Sequence, residues 1–364
     1  MRISLIPVVF AALLLLVALT GCDREVITQQ QAGLELTSCF TCHSDNDMAL
    51  VQARDQFDES VHASGENVDR NRLYQSFYQA CERCHTSEGF IAYVTDVPAD
   101  GDMFTAMHCF TCHAPHTNGS LALRVTEAVT LADGSVFDRG NANICATCHQ
   151  SRANVTTTVV DDVTLSSHWG PHYSVQSDML IGENAYEYAG YTYTKSAHTA
   201  VATDGCISCH MADSRHPSIG GHSWNMVNEE RSFQNTAGCN VSGCHQVAQL
   251  TTLNRTADAD FDWDGSVEGV QDEIEGLLDS LHTVLETANL ADADGHPISR
   301  TVATADSAGA LFNFLFVEED RSEGIHNTDY TVGLLRSSIN FIVTGNPNGV
   351  PTIIIDDKKL AVAH

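Results

Sequence analysis

Five times in this 364-residue chain two cysteines are separated by two residues and followed at once by histidine. The five segments are Cys39–His43, Cys81–His85, Cys109–His113, Cys145–His149 and Cys206–His210. Cysteines three positions apart lie on one face of a helical turn. Both thiols can then reach the two vinyl groups of one porphyrin, while the next residue turns its imidazole to the iron. A sixth segment, Cys239-Asn240-Val241-Ser242-Gly243-Cys244-His245, has four residues between its thiols. Its backbone must loop out, which Gly243 makes easier. Six porphyrins would supply much of the apolar interior between residues 39 and 245, so the chain needs short helices and loops around cofactors more than long regular elements.

Twelve of the thirteen cysteines fall in these segments. Disulfides would suit an exported chain, but they leave the histidine after every second cysteine unexplained. Zinc sites need two such pairs, or a spaced histidine pair, for each metal. The thirteenth cysteine, Cys22, ends a leader with one basic residue, Arg2, and an apolar run from Ile3 to Ala18. Leu19-Thr20-Gly21-Cys22 resembles the lipobox of bacterial lipoproteins, which implies acylation of Cys22 and a membrane anchor. A plain signal peptide or an uncleaved anchor helix are the alternatives; the run is at the short end of what spans a bilayer.

The formal charge of −29 argues against nucleic acid and anionic membrane as partners. An acidic exterior can steer a basic redox partner or simply keep the protein soluble. The expected organisation is a leader at 1–21, an acylated tether at 22–35, a hexahaem domain at 36–249 and a cysteine-free C-terminal helical region at 250–364. Within the haem region, Ala128–Leu131 and Ser135–Phe137 read as a hairpin about Asp133-Gly134. Tyr186, Tyr188, Tyr191 and Tyr193 read as a strand or as aromatic packing around porphyrin. In the tail, Val267, Val270, Ile274, Leu277, Leu278, Leu281 and Leu285 recur at helical spacing. Further helices are expected at 306–317 and 328–344, the last ending at Gly345-Asn346-Pro347. A short strand is expected at 352–355.

The six motif histidines, His43, His85, His113, His149, His210 and His245, are the expected proximal iron ligands. Twelve other histidines remain as second ligands. Here the chain resembles multihaem c-type cytochromes, a fold of short helices and loops with little strand. Cys112-His113-Ala114-Pro115-His116 is similar to an arrangement in that class whose last histidine serves a neighbouring haem. Ser60-Val61-His62-Ala63, Gly170-Pro171-His172-Tyr173, Ser196-Ala197-His198 and Gly220-Gly221-His222-Ser223-Trp224 resemble its distal-ligand segments. Asp320–Asn327 is similar to a segment near the C-terminal helices of ammonia-forming cytochrome c nitrite reductases and their multihaem relatives. There the histidine is an axial ligand, which implies the same for His326. His108, His168 and His216 are reserves. That family's catalytic haem has lysine in the proximal position, whereas no lysine follows a motif cysteine here, so its active site does not carry over.

Asp260-x-Asp262-x-Asp264-Gly265, followed by Glu268, matches the start of an EF-hand-type loop and is a candidate calcium site. The twelfth position is Gln271 rather than glutamate. A solvated acidic helix start is the alternative.

The expected function is electron transfer through six haem c groups, mostly bis-histidine, in an exported, membrane-anchored respiratory cytochrome. Partners would be other redox proteins: cytochromes, a quinol-oxidising complex or a terminal reductase. A multihaem reductase of nitrite, hydroxylamine or a sulfur oxyanion is the alternative, and needs one haem with an open position. A docking subunit of a larger complex is a third class. The expected location is the periplasmic face of the inner membrane, with the outer membrane or cell surface as second choice.

Overall fold

The computed structural model describes residues 39–41, 43, 47–64, 68, 81–99, 104–114, 121–214, 216–350, 353–356 and 359–362, the last two as backbone only. The leader, the tether, Cys22, Cys42, His116 and His364 lie outside the described residues. Everything described belongs to one unit, Ser38–His364.

Two kinds of helix build it. Through the cysteine-rich part they are mostly short: α1 Met48–Asp58, α2 Glu82–His85, α3 Ser87–Thr95, α4 Cys109–Cys112, α5 Asn143–Ala146, α6 Val155–Thr158, α7 Gln176–Ile181, α8 His198–Val201 and α9 Cys206–His210. After residue 250 they are long: α10 Val270–Thr287, α11 Ala305–Asp320 and α12 Thr328–Thr344. Strand is limited to four two-stranded antiparallel pieces. β1 Val129–Thr130 pairs with β2 Val136–Phe137 about the expected turn. β3 Val163–Thr164 pairs with β6 Thr301–Val302, and β4 Val227–Asn228 with β5 Phe233–Gln234. β7 Ile353–Asp356 pairs with β8 Lys359–Val362.

The long helices form because their apolar residues recur at the helical period. Ile274, Leu277, Leu281 and Leu285 of α10 are fully buried on one face. The three helices pack on one another, and α12 ends at Gly345 in a left-handed cap with φ 73°. Val267, read as the first residue of the α10 stripe, lies before the helix and is exposed.

Residue 249 does not divide the core. Val155, Leu165, Val175 and Met179 share one apolar cluster with α10, α11 and α12. The tyrosines of 186–193 pack on this bundle and form no strand. Tyr186 Oη donates to Asp306 Oδ1 at 2.6 Å, Tyr188 Oη to the Asp306 carbonyl at 2.9 Å, and Tyr193 Oη lies 2.9 Å from Ser337 Oγ. Buried Asn313 exchanges bonds with both the N–H and the carbonyl of Tyr186 and reaches Ser338. Satisfying every arm of a buried amide fixes the loop on the helices. Among the described residues no helix is long and apolar enough to cross a membrane.

Candidate haem-iron sites

Each motif closes on itself in the same way. The histidine N–H donates to the carbonyl of the first cysteine at 2.9 Å in Cys39–His43, 3.1 Å in Cys81–His85, 3.0 Å in Cys109–His113 and 2.8 Å in Cys145–His149. Residues 206–210 are the helix α9 itself. The stretched motif makes the same bond, His245 N–H to Cys239 carbonyl, at 2.9 Å. Its two extra residues are absorbed by a loop in which Gly243 takes φ 87°. The insertion therefore leaves the start and end of the motif related as in the others.

Among the described residues, four motif histidines face a second histidine. Ring centroids are 6.0 Å apart for His62 and His149, 6.2 Å for His113 and His222, 6.3 Å for His198 and His245, and 6.2 Å for His210 and His326. Two imidazoles on opposite sides of one metal, each bonded at about 2 Å, place their centroids about 6 Å apart. The His62–His149 and His198–His245 rings are nearly perpendicular and the other two pairs tilted, and the spacing fits one iron between each pair.

The outward nitrogens are engaged. His149 Nδ1 lies 3.1 Å from Gln176 Oε1, His113 Nδ1 3.0 Å from the Leu121 carbonyl, and His210 Nδ1 2.9 Å from the Trp224 carbonyl. His198 Nδ1 lies 2.7 Å from the Ile325 carbonyl, and His326 Nδ1 2.7 Å from Asp320 Oδ1. An acceptor on Nδ1 leaves Nε2 as the metal-binding atom and fixes the ring plane. Burial, then the charge of His149, pushes His62 down to about 4. Burial also lowers His149, His198, His210 and His222. His326 goes the other way: burial would lower it, but the Asp320 charge and hydrogen bond more than offset that. Neutral imidazole is the ligand form.

Local structure explains the placement of the distal rings. His62 sits in a one-turn segment, Val61–Ala63, with Trp224 edge-on at 4.9 Å. His222 sits in a second such turn, Gly221–Ser223, on which α1 packs, and its N–H donates to Gln56 Oε1 at 3.1 Å. Gly221 has φ 52°, and a β-carbon there would collide with the Gln56 amide. Glycine is therefore required beside His222. Buried Asn327 accepts from the N–H and hydroxyl of Ser196 at 2.8 and 3.1 Å, holding the chain that leads to His198.

His172 meets the ring of Tyr173, its own neighbour, at 5.3 Å and occupies a left-handed backbone position, φ 68°. His108 caps α4 and contacts Ser87, and His216 contacts Ser218, so both are committed to local structure.

Thiols from different motifs touch. Cys39 meets Cys109, Cys84 meets Cys148, Cys145 meets Cys206, and Cys209 meets Cys239. In the last three contacts the shared hydrogen bond pulls one thiol down and pushes the other up. Because a porphyrin edge starts at its thioethers, motifs in thiol contact would hold their porphyrins edge to edge. Three buried guanidinium N–H groups, Arg83 Nε, Arg139 Nε and Arg152 Nη1, have no hydrogen-bond partner. A buried unpaired donor is costly, and each of these arginines lies beside a motif. The propionates of haem are the anions that would satisfy them. Paired rings, self-closed motifs and unpaired guanidinium N–H groups all fit the group.

The acidic loop differs from the sequence expectation. Ligand atoms of Asp260, Asp262 and Glu273 lie within 4.8 Å of one another. Glu268 instead contributes its backbone N–H to Glu273 Oε1 at 2.9 Å, and Asp264 caps Ser266 at 2.7 Å. Glu273 comes from the first turn of α10, two positions beyond the twelfth, and is fully buried. Burial, then neighbouring carboxylates, raises Asp262 to about 6. Arg336 donates to the carbonyls of Phe261 and Asp260 at 2.7 and 2.8 Å and ties the loop to α12.

No family model matches the chain. It is 24% identical over 353 residues to the C-type polyheme cytochrome OmcB of Geobacter sulfurreducens, covering 78% of this chain and 46% of that protein. It is 25% identical over 351 residues to the C-type polyheme cytochrome OmcC of the same species, covering 78% and 45%. The chain thus spans less than half the length of these curated relatives. The crystal structure of the outer cell wall cytochrome OcwA aligns with a TM-score of 0.46 at 18% identity, over 79% of this chain and 49% of that one. The relatives are polyhaem c-type cytochromes, and multihaem c-type cytochrome is the class that this chain's sequence and similarities support.

Proposed function

We propose that the chain carries electrons through six covalently attached haems, one at each motif, as an exported and lipid-anchored cytochrome. The observation that carries this reading is the set of four facing histidine pairs at iron-spanning separation. His62, His222, His198 and His326 are then the distal ligands of the third to sixth motifs in the order His222, His62, His326, His198. His116 and His172 remain candidates for the first two. Haem supplies the one-electron chemistry; the chain supplies neutral imidazoles, fixed ring planes and spacing. Two ligands on four of the six irons would leave no room for substrate there, which favours a wire over a reductase. Thiol contacts between motifs support edge-to-edge porphyrins and hopping from site to site.

Cys22 would hold the chain to a membrane, and the acidic surface would meet a basic redox partner. The loop of Asp260, Asp262 and Glu273 would take a divalent cation such as calcium and brace α10 and α12. Electron paramagnetic resonance of the oxidised protein, with carbon monoxide added to the reduced form, tests the reading. All-low-spin haem that ignores carbon monoxide is expected. A high-spin haem that binds it would favour the reductase.

A further inference from the structure

Five of the paired imidazoles have a described partner on Nδ1, and four of these partners are neutral oxygens: Gln176 Oε1 and the carbonyls of Leu121, Trp224 and Ile325. The fifth is a carboxylate. Asp320 Oδ1 lies 2.7 Å from His326 Nδ1, and Asp320 is only 2% exposed. Its other oxygen takes the Ser322 hydroxyl, and Ser322 Oγ accepts the His326 N–H at 3.2 Å. A buried carboxylate needs such donors. The arrangement locks the ring with Nδ1–H toward the acid and Nε2 toward the iron site.

A carboxylate on Nδ1 pushes electron density into the ring and strengthens Nε2 as a donor. Ferric iron gains more from that than ferrous iron. We propose that Asp320 is a positioning residue that makes the His210–His326 haem the lowest in potential of the four paired sites. The inference rests on the haem reading above. It also gives the site a place in the electron path. Cys206 contacts Cys145 of the fourth motif and Cys209 contacts Cys239 of the sixth. The most reducing of these four haems therefore stands between two neighbours, and an electron passing from the fourth motif to the sixth climbs onto it and descends from it. Asp320 sets the height of that step.

The test is Asp320→Asn in the full, matured chain, with every haem signal followed through a potentiometric titration. The midpoint of one signal should rise, lowering its oxidised-to-reduced ratio at fixed poise at least tenfold, about 59 mV for one electron, while the others stay. Ser322→Ala removes a competing donor to the carboxylate and should move the same signal downward. Unmoved potentials in either variant, a uniform shift of all haems, or conversion of that haem to high spin would overturn the proposal. If the asparagine variant does not mature, the serine variant decides alone. Intact mass of the same samples separates the two failures: missing porphyrin mass sinks the haem reading, whereas full mass with unmoved potentials sinks only the role of Asp320.

Discussion

His198 Nδ1 lies 2.7 Å from the carbonyl oxygen of Ile325, the residue next to His326. In the proposed assignment one turn between α11 and α12 would serve two irons, by offering His326 to the fifth motif and by orienting the ring that faces the sixth. It reaches a third through Gln176, whose amide nitrogen donates to the carbonyls of Glu319 and Asp320 while its oxygen meets His149 Nδ1. The cysteine-free helices thus frame three of the facing histidine pairs.

Asn327→Ala should loosen that frame. It deletes the bonds to Ser196 and the one to the Met179 carbonyl at a fully buried position. A loss of about 2–3 kcal/mol is expected from stranded buried donors and acceptors. Thermal unfolding checks the stability, and the spin state of one haem should become mixed as His198 loses its fixed approach.

Removing His62 should open one iron. His62→Ala is expected to give a single high-spin haem that binds carbon monoxide, with the remaining haem signals unchanged. His282→Ala is the control, because that ring stacks on Phe314 and bonds the Asp292 carbonyl. Its visible and resonance spectra should match those of the parent protein.

Gly221→Ala should act on His222 without touching it. The left-handed backbone and the Gln56 amide both oppose a side chain. A cost of about 1 kcal/mol or more is expected from the backbone alone. The haem of the Cys109–His113 motif should become partly high-spin, measured by resonance spectroscopy, while the His62–His149 site keeps its spectrum.

The acidic loop predicts a pH-dependent response to chelation. Asp262 is raised to about 6 by burial and by its carboxylate neighbours. Its contribution to the stability of the ion-free protein is fully present below the ordinary aspartate range and is lost as pH rises through about 6. A bound divalent cation offsets that loss. A chelator should therefore lower the melting temperature at pH 7 and do little at pH 5. Glu273→Gln should abolish the difference; equal melting curves with and without chelator at pH 7 would contradict the site.

The attachment motifs are local, so the cysteines and their histidines could be read directly. The three long helices were also legible, because α10 and α12 carry their period in the sequence; only Val267 misled, by continuing the stripe beyond the helix start. The pairing of His222 with His113, or of His62 with His149, was not legible. Those partners are more than eighty positions apart and meet only through the packing of α1 and the Gly220-Gly221 turn. Glu273 lies two positions beyond the EF-hand pattern's twelfth residue, so the pattern alone does not join it to Asp260 and Asp262. Asp320 was visible as part of a familiar segment, but its contact with His326 follows from the left-handed cap at Arg321, φ 58°, which no local pattern announces.

The most direct measurement is the intact mass of the matured chain, together with peptide mapping of its porphyrin adducts. Six thioether-bound haems, on Cys39 to Cys244 in motif order and including the stretched segment, are predicted. A colourless chain, or one whose touching thiols are joined as disulfides between motifs, would contradict the account.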